Sequence, residues 1–338
     1  MNSLRYGPFA WSSVIAVLVL IAEPITMAAE PRLVPSASRK PAALPVSLEG
    51  KRMATYGGGA LVVAEGDMAE PGVFSIFGAN GNLLSQVPLK IPGASRVVVY
   101  DYSRTATGML VACGFAESSG VQRAPYLTWF STVGSSQKVI RTEPYYPFLC
   151  AGAPDGSLWT VGLEMNADLQ EQPEHRDSPV LRRFAQDGRQ LGAWLPRSSF
   201  PGAAELIRGF LAASNSKVGW LRWSADGGLE GVYTEITPEG EITSFSLKQV
   251  PGFKAGIGAF SGMALTAEGD AVVAAVPIDK KEATAVLWLD RSKQQWQRVS
   301  MPVAASPPFF HIYGADTDLA LYVGGDDKSR VRFFRLEK

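Results

Sequence analysis

The sequence has no excess charge of either sign: 32 Lys and Arg balance 32 Asp and Glu. A neutral chain offers no cationic field for nucleic acid or an anionic membrane surface, so no nucleic-acid partner is expected. Histidine, the commonest general base and a common metal ligand, occurs only twice in 338 residues. The chain also lacks the motifs that announce familiar chemistry. There is no Gly-x-Ser-x-Gly nucleophile elbow and no Walker A loop. Gly256-Ile-Gly258-Ala-Phe-Ser-Gly262 has one residue too many for a dinucleotide fingerprint and lies in no βαβ setting. Ser224-Ala-Asp-Gly-Gly228 lacks the aromatic residue of a sialidase Asp-box and reads as a hairpin turn. Cysteine is scarce too. Cys113 and Cys150 form an even pair that an oxidising compartment could bridge or leave as two buried thiols.

No apolar run is long enough to span a bilayer. Val14 to Ala22 supplies nine residues against the roughly 18 needed. Arg5, this run and the small residues at Thr26 to Ala29 instead match a secretory signal peptide over residues 1–29, cleaved after Ala28 or Ala29. The expected location is therefore secreted or periplasmic, without a transmembrane anchor after cleavage. A proline-rich stretch, 30–42, reads as an extended tail before a single domain over 43–338.

Apolar and aromatic residues are plentiful, at 46% and 10%, and they recur with a period. Strand-like runs begin at Ala60, Met109, Leu158, Val218, Ala271 and Leu319, separated by 49, 49, 60, 53 and 48 residues. A second run bearing an aromatic or bulky residue follows each, from Phe74, Tyr126, Leu181, Val232, Val286 and Val331. Turn sequences such as Pro154-Asp-Gly-Ser157, Ala79-Asn-Gly-Asn82 and Gln186-Asp-Gly-Arg189 stand between or beside them. Four antiparallel strands in a unit of about fifty residues, six times over, predict an all-β six-bladed propeller. The last unit runs out after three strands, so an N-terminal strand, expected within 43–48, should close the ring. Trp159, Trp220, Trp223 and Trp288 fall within strands and are expected in the core between blades.

The third unit, Ala153-Pro-Asp-Gly-Ser-Leu-Trp-Thr-Val-Gly162 followed by Leu181-Arg-Arg-Phe-Ala-Gln-Asp-Gly188, resembles a repeat of the six-bladed superfamily that includes NHL-repeat and TolB-like proteins. It departs from the NHL pattern in carrying a long loop, 164–178, where that family has a short Asp and Asn-Arg link.

Connections between strands two and three, and between blades, are longer than the remaining turns. They mark one face for binding an unidentified protein or small molecule. Acids outnumber bases across its strand two-to-three loops, which predicts an acidic, solvated rim. Residues at the starts of innermost strands would line the channel mouth: Arg96, Tyr146, Arg208, Lys254 and His311. Three cations with Tyr146 could take a carboxylate or a sugar acid; ordinary pairing with nearby acids is the plain alternative. His175, among Glu171, Glu174 and Asp177, lacks the i, i+4 spacing of a zinc pair and reads as a solvated loop. The expectation is an exported monomeric binding module, with no metal or other cofactor. The alternative is a lactonase- or esterase-like hydrolase dependent on a divalent metal, as in related six-bladed propellers.

Overall fold

Each apolar run becomes the second strand of a four-stranded antiparallel blade, because these residues are buried on both faces between neighbouring blades. The computed structural model describes residues 30–37, 42–43, 55–57, 60–66, 70–105, 107–118, 123–131, 137–224, 229–302, 310–315, 318–323 and 330–338. The signal segment lies outside them. Blade 1 holds β3 (Thr55–Gly57), β4 (Ala60–Gly66), β5 (Pro71–Gly78) and β6 (Leu83–Pro88). Blade 2 holds β7 (Arg96–Arg104), β8 (Leu110–Glu117), β9 (Arg123–Phe130) and β10 (Gln137–Arg141). Blade 3 holds β11 (Tyr145–Gly152), β12 (Leu158–Glu164), β13 (Pro179–Phe184) and β14 (Gln190–Pro196). Blade 4 holds β15 (Gly209–Ala213), β16 (Val218–Ser224), β17 (Glu230–Ile236) and β18 (Ile242–Leu247). Blade 5 holds β19 (Ile257–Leu265), β20 (Ala271–Pro277), β21 (Ala285–Asp290) and β22 (Gln295–Arg298).

Blade 6 takes β23 (Phe310–Ala315), β24 (Leu319–Val323) and β25 (Arg330–Glu337) from the C-terminus. Its outer strand is β1 (Arg32–Pro35), antiparallel to β25 with Leu33 opposite Leu336. The two-residue strand β2 (Ala42–Ala43) pairs farther along β25. Ring closure by the N-terminus is thus realised, but its outer strand comes from the stretch expected to be a tail. Residues 44–48 of the expected strand lie outside the described residues. The reason for the shift is local: Leu33 is 2% exposed and enters the core between blades 5 and 6. Its N–H donates to the Ser300 carbonyl, and Ser36 Oγ donates to the buried Asp318 carboxylate at 3.0 Å.

The innermost strands β3, β7, β11, β15, β19 and β23 contact one another in sequence, and β23 returns to β3. Apolar clusters fill the wedge between each successive pair of blades from 1 to 6. Phe74, Ile76 and Phe130 lie between blades 1 and 2, while Trp129, Tyr145 and Phe184 lie between blades 2 and 3. Trp159 and Trp220 are buried between blades 3 and 4, and Trp223 and Trp288 pack against the clusters that follow. Tight turns hold the opposite face. In blade 3 Gly156 adopts φ 83° and Ser157 N–H donates to Asp155, the chemistry its Asp-Gly sequence predicts.

Candidate functional site

The innermost strand of blade 2 begins after a turn at 91–94, where Ala94 N–H donates to the Ile91 carbonyl. Arg96 follows and enters a chain of opposite charges. Its Nε donates to Glu70 at 2.7 Å and its Nη1 to Glu117 at 3.3 Å. The other Glu117 oxygen accepts from Arg123 Nε at 3.0 Å. Arg123 also lies over the Phe115 ring, 5.6 Å from its centroid. The Arg123 hydrogen bond is the chief reason the Glu117 carboxyl sits below its ordinary range, and Arg96 adds to it. Glu70 and Glu117 in turn raise the Arg96 guanidinium.

Two buried tyrosines brace this chain. Tyr126 Oη donates to the Val98 carbonyl, and Tyr146 Oη donates to the Arg123 carbonyl at 3.1 Å. Burial raises both phenols, and the Glu143 charge pushes Tyr146 further in the same direction. Neither is set up to ionise at neutral pH.

A cavity of about 520 Å³ opens above this floor, lined by Pro92, Ala94, Glu117, Arg123, Val139, Arg141 and Glu143 among others. A second, of about 540 Å³, lies on the other side of the 91–94 turn and includes Glu70, Lys90 and Arg96. They share Ile91, Pro92 and Ala94, so they adjoin across this turn, and the pair is referred to below as the groove over blades 1 and 2. Each volume is within the range of small-molecule sites. The lining comes from between-blade connections and strand two-to-three ends, which places the groove on the long-loop face. It is displaced outward from the axis, since β8, β9 and β10 all contribute to its wall.

Of the five residues expected at the channel mouth, Arg96 lines this groove and Tyr146 supports it from beneath. Arg208 is exposed beyond α1 (Ala203–Ile207), and the Lys254 N–H donates to Glu282. His311 is half-buried, with Nδ1 2.9 Å from the Ser261 carbonyl. Burial lowers its imidazole, against the opposing effect of that carbonyl. These three begin or precede other innermost strands and do not line the groove. Sequence reasoning missed Arg141 and Glu143. In the sequence they are two opposite charges flanking Thr142 at a between-blade connection, with nothing local to mark them as unpaired.

The acids of the long-loop face are extensively paired. Besides Glu70 and Glu117, Glu164 binds His175 at 2.8 Å, Ser178 and Arg182, and Glu171 binds Arg197. The loop bearing His175 is therefore tied to its blade, with a turn of 3₁₀ helix at Pro173–His175. Four further acids of the strand two-to-three loops, Asp67, Asp226, Asp326 and Asp327, lie outside the described residues. Cys113 and Cys150 share one buried cluster, with no disulfide joining them there. Among the described residues, no group of three His, Cys, Asp or Glu side chains is arranged to hold a metal.

Fold and groove together define a six-bladed β-propeller with an off-axis cavity on its long-loop face. No protein-family model matches the chain, and no curated protein is detectably similar to it in sequence. Among solved structures it is similar to a Bacteroides fragilis NCTC 9343 protein described provisionally as exported. That match has a TM-score of 0.52 and 11% identity, covering 90% of this chain and 97% of that one. A glucose dehydrogenase matches with a TM-score of 0.39 and 14% identity, covering 90% and 95% of the two chains. The tricorn protease matches with a TM-score of 0.44 and 11% identity, covering 76% of this chain and 27% of that one. At 11% identity the first likeness is one of fold alone.

Proposed function

We propose that the chain is an exported β-propeller acting as a binding module, with the groove over blades 1 and 2 as its ligand surface. The carrying observation is the groove itself: a cavity of about 520 Å³ lined by Glu117, Arg123, Arg141 and Glu143, adjoining one of about 540 Å³ lined by Glu70 and Arg96, with the Glu70–Arg96–Glu117–Arg123 chain of ion pairs linking the two. A wall of paired charges costs little reorganisation when a ligand enters, which favours affinity. Among the described residues no helix is long and apolar enough to cross a membrane. The closing strand β1 starts at Arg32, just beyond the expected cleavage sites, so processing would leave the chain needed to complete blade 6. The resemblance of unit three to NHL-repeat and TolB-like propellers agrees with a scaffold that presents ligands on one face.

Two measurements test this reading. Protein recovered from the periplasm or medium should begin at Ala29 or Glu30; recovery only as an intact chain in the cytosol overturns export. In a thermal-shift screen of small molecules and peptides, Ala94→Trp should abolish the response to genuine ligands, because Ala94 lines both halves of the groove. Responses that all survive this substitution would place binding elsewhere.

A further inference from the structure

Arg141 and Glu143 lie in the connection between blades 2 and 3, on either side of Thr142. Thr142 is buried, while its two neighbours are exposed. Its N–H donates to the Pro125 carbonyl and its Oγ1 to the Tyr145 carbonyl at 2.7 Å. The backbone beneath the two charges is therefore anchored. Both side chains line the cavity over blade 2. Neither makes an ion pair or hydrogen bond among the described residues, even with the other.

The remaining charges on that wall, Glu117 and Arg123, are already paired. The cavity therefore presents one available cation and one available anion, with Ile91, Pro92 and Val139 as apolar surface. A ligand of single charge would meet a like charge at one end. A ligand carrying both charges would satisfy both. Arg141 can take a planar carboxylate through two parallel N–H donors, and Glu143 can accept from an ammonium group.

We infer that this cavity binds a peptide of two or three residues with both termini free, its carboxylate on Arg141 and its ammonium on Glu143. Side chains of the peptide rest on Ile91, Pro92 and Val139. This inference deepens the binding-module reading and rests on it.

The test is calorimetric titration with trialanine, N-acetyl-trialanine and trialanine amide against wild type, Arg141→Gln and Glu143→Gln. Both substitutions are at exposed positions, and unchanged melting temperatures confirm that the variants fold. Wild type should bind the free peptide at least about tenfold more tightly than either blocked form, the effect of losing one charge-assisted contact. Arg141→Gln should remove the preference for free acid over amide and keep the preference for free amine. Glu143→Gln should do the reverse. Failure of trialanine to bind, or binding indifferent to the blocked termini and both variants, overturns the inference. If another ligand then binds in an Ala94→Trp-sensitive way, the groove stands and only its peptide assignment falls. If no ligand does, the groove reading itself falls.

Discussion

Leu33 is the residue on which closure of the ring can be tested by a single change. It is 2% exposed and joins a cluster with Val299, Ile312, Leu319 and Phe334 between blades 5 and 6. Leu33→Ala removes buried methyl groups and leaves a cavity that a rigid inter-blade core cannot fully collapse, at a cost of about 3 kcal/mol. In a domain of this size each kcal/mol lowers Tm by about 2 °C, so the variant should melt about 6 °C below wild type. Arg32→Ala is the control. Arg32 pairs with Glu337 at 2.8 Å, but both side chains are well exposed, and such pairs contribute about 0–1 kcal/mol. Its Tm should therefore move by no more than about 2 °C. Calorimetry gives the Tm, and hydrogen exchange along Arg330–Glu337 reports directly on the strand that β1 covers. If Leu33→Ala melts with wild type and exchange in β25 is unchanged, β1 does not close blade 6 and this account of the ring is wrong.

Other outcomes follow from the packing and the charges. Gly114 and Gly162 sit in second strands opposite bulges of β7 and β11, where an added Cβ would lie 1.9 Å from the Val98 carbonyl and 2.2 Å from the Tyr146 carbonyl. Gly162→Ala should lower Tm by more than Leu33→Ala does, and equal or smaller loss would mean the bulge relaxes freely. Burial pushes the Glu235 carboxyl up, yet hydrogen bonds from Arg291 and Lys217 outweigh it and hold the group below its ordinary 4.5. A depressed carboxyl contributes stability that is complete above its unfolded value and lost as pH falls through the folded one. Tm should therefore fall on acidification below about pH 4.5, and Glu235→Gln should flatten that limb of the profile. His311, lowered from 6.5 by burial, gives the same sign in a higher window: its contribution is lost as pH drops below 6.5, and His311→Gln should flatten that range. Native protein treated with iodoacetamide should take up no label at Cys113 or Cys150, and unreduced, denatured protein should take up one at each; absence of both labels there would establish a bridge.

The blades were legible because two local signals coincide in every unit: an apolar run buried on both sides, and turn chemistry such as Asp155-Gly156 beside it. The bulges opposite Gly114 and Gly162 were not, since they depend on how closely the neighbouring strand approaches. Leu33 escaped for a topological reason. Flanked by Arg32, Val34 and Pro35, it gives no periodic signal, and its partner Leu336 lies at the other end of the chain. The groove lies on the face that carries the long loops, and the innermost-strand starts at Arg208, Lys254 and His311 lie outside it. Arg96, another such start, lines it; whether Arg96 is available depends on Glu70 and Glu117, which separate blade edges bring to it. Arg141 and Glu143 lie on the far side of blade 2, and their availability is a property of spacing between elements that no local pattern encodes.

A binding module of the proposed kind holds its ligand off-axis, over blades 1 and 2. Hydrogen exchange with and without a ligand found by the thermal-shift screen tests this directly. Bound ligand should protect 89–97, 116–118, 123–126 and 139–143, the segments that wall the groove. Protection confined to the strand starts near Arg208, Lys254 and His311, with none over blade 2, would contradict that placement and return the site to the channel mouth.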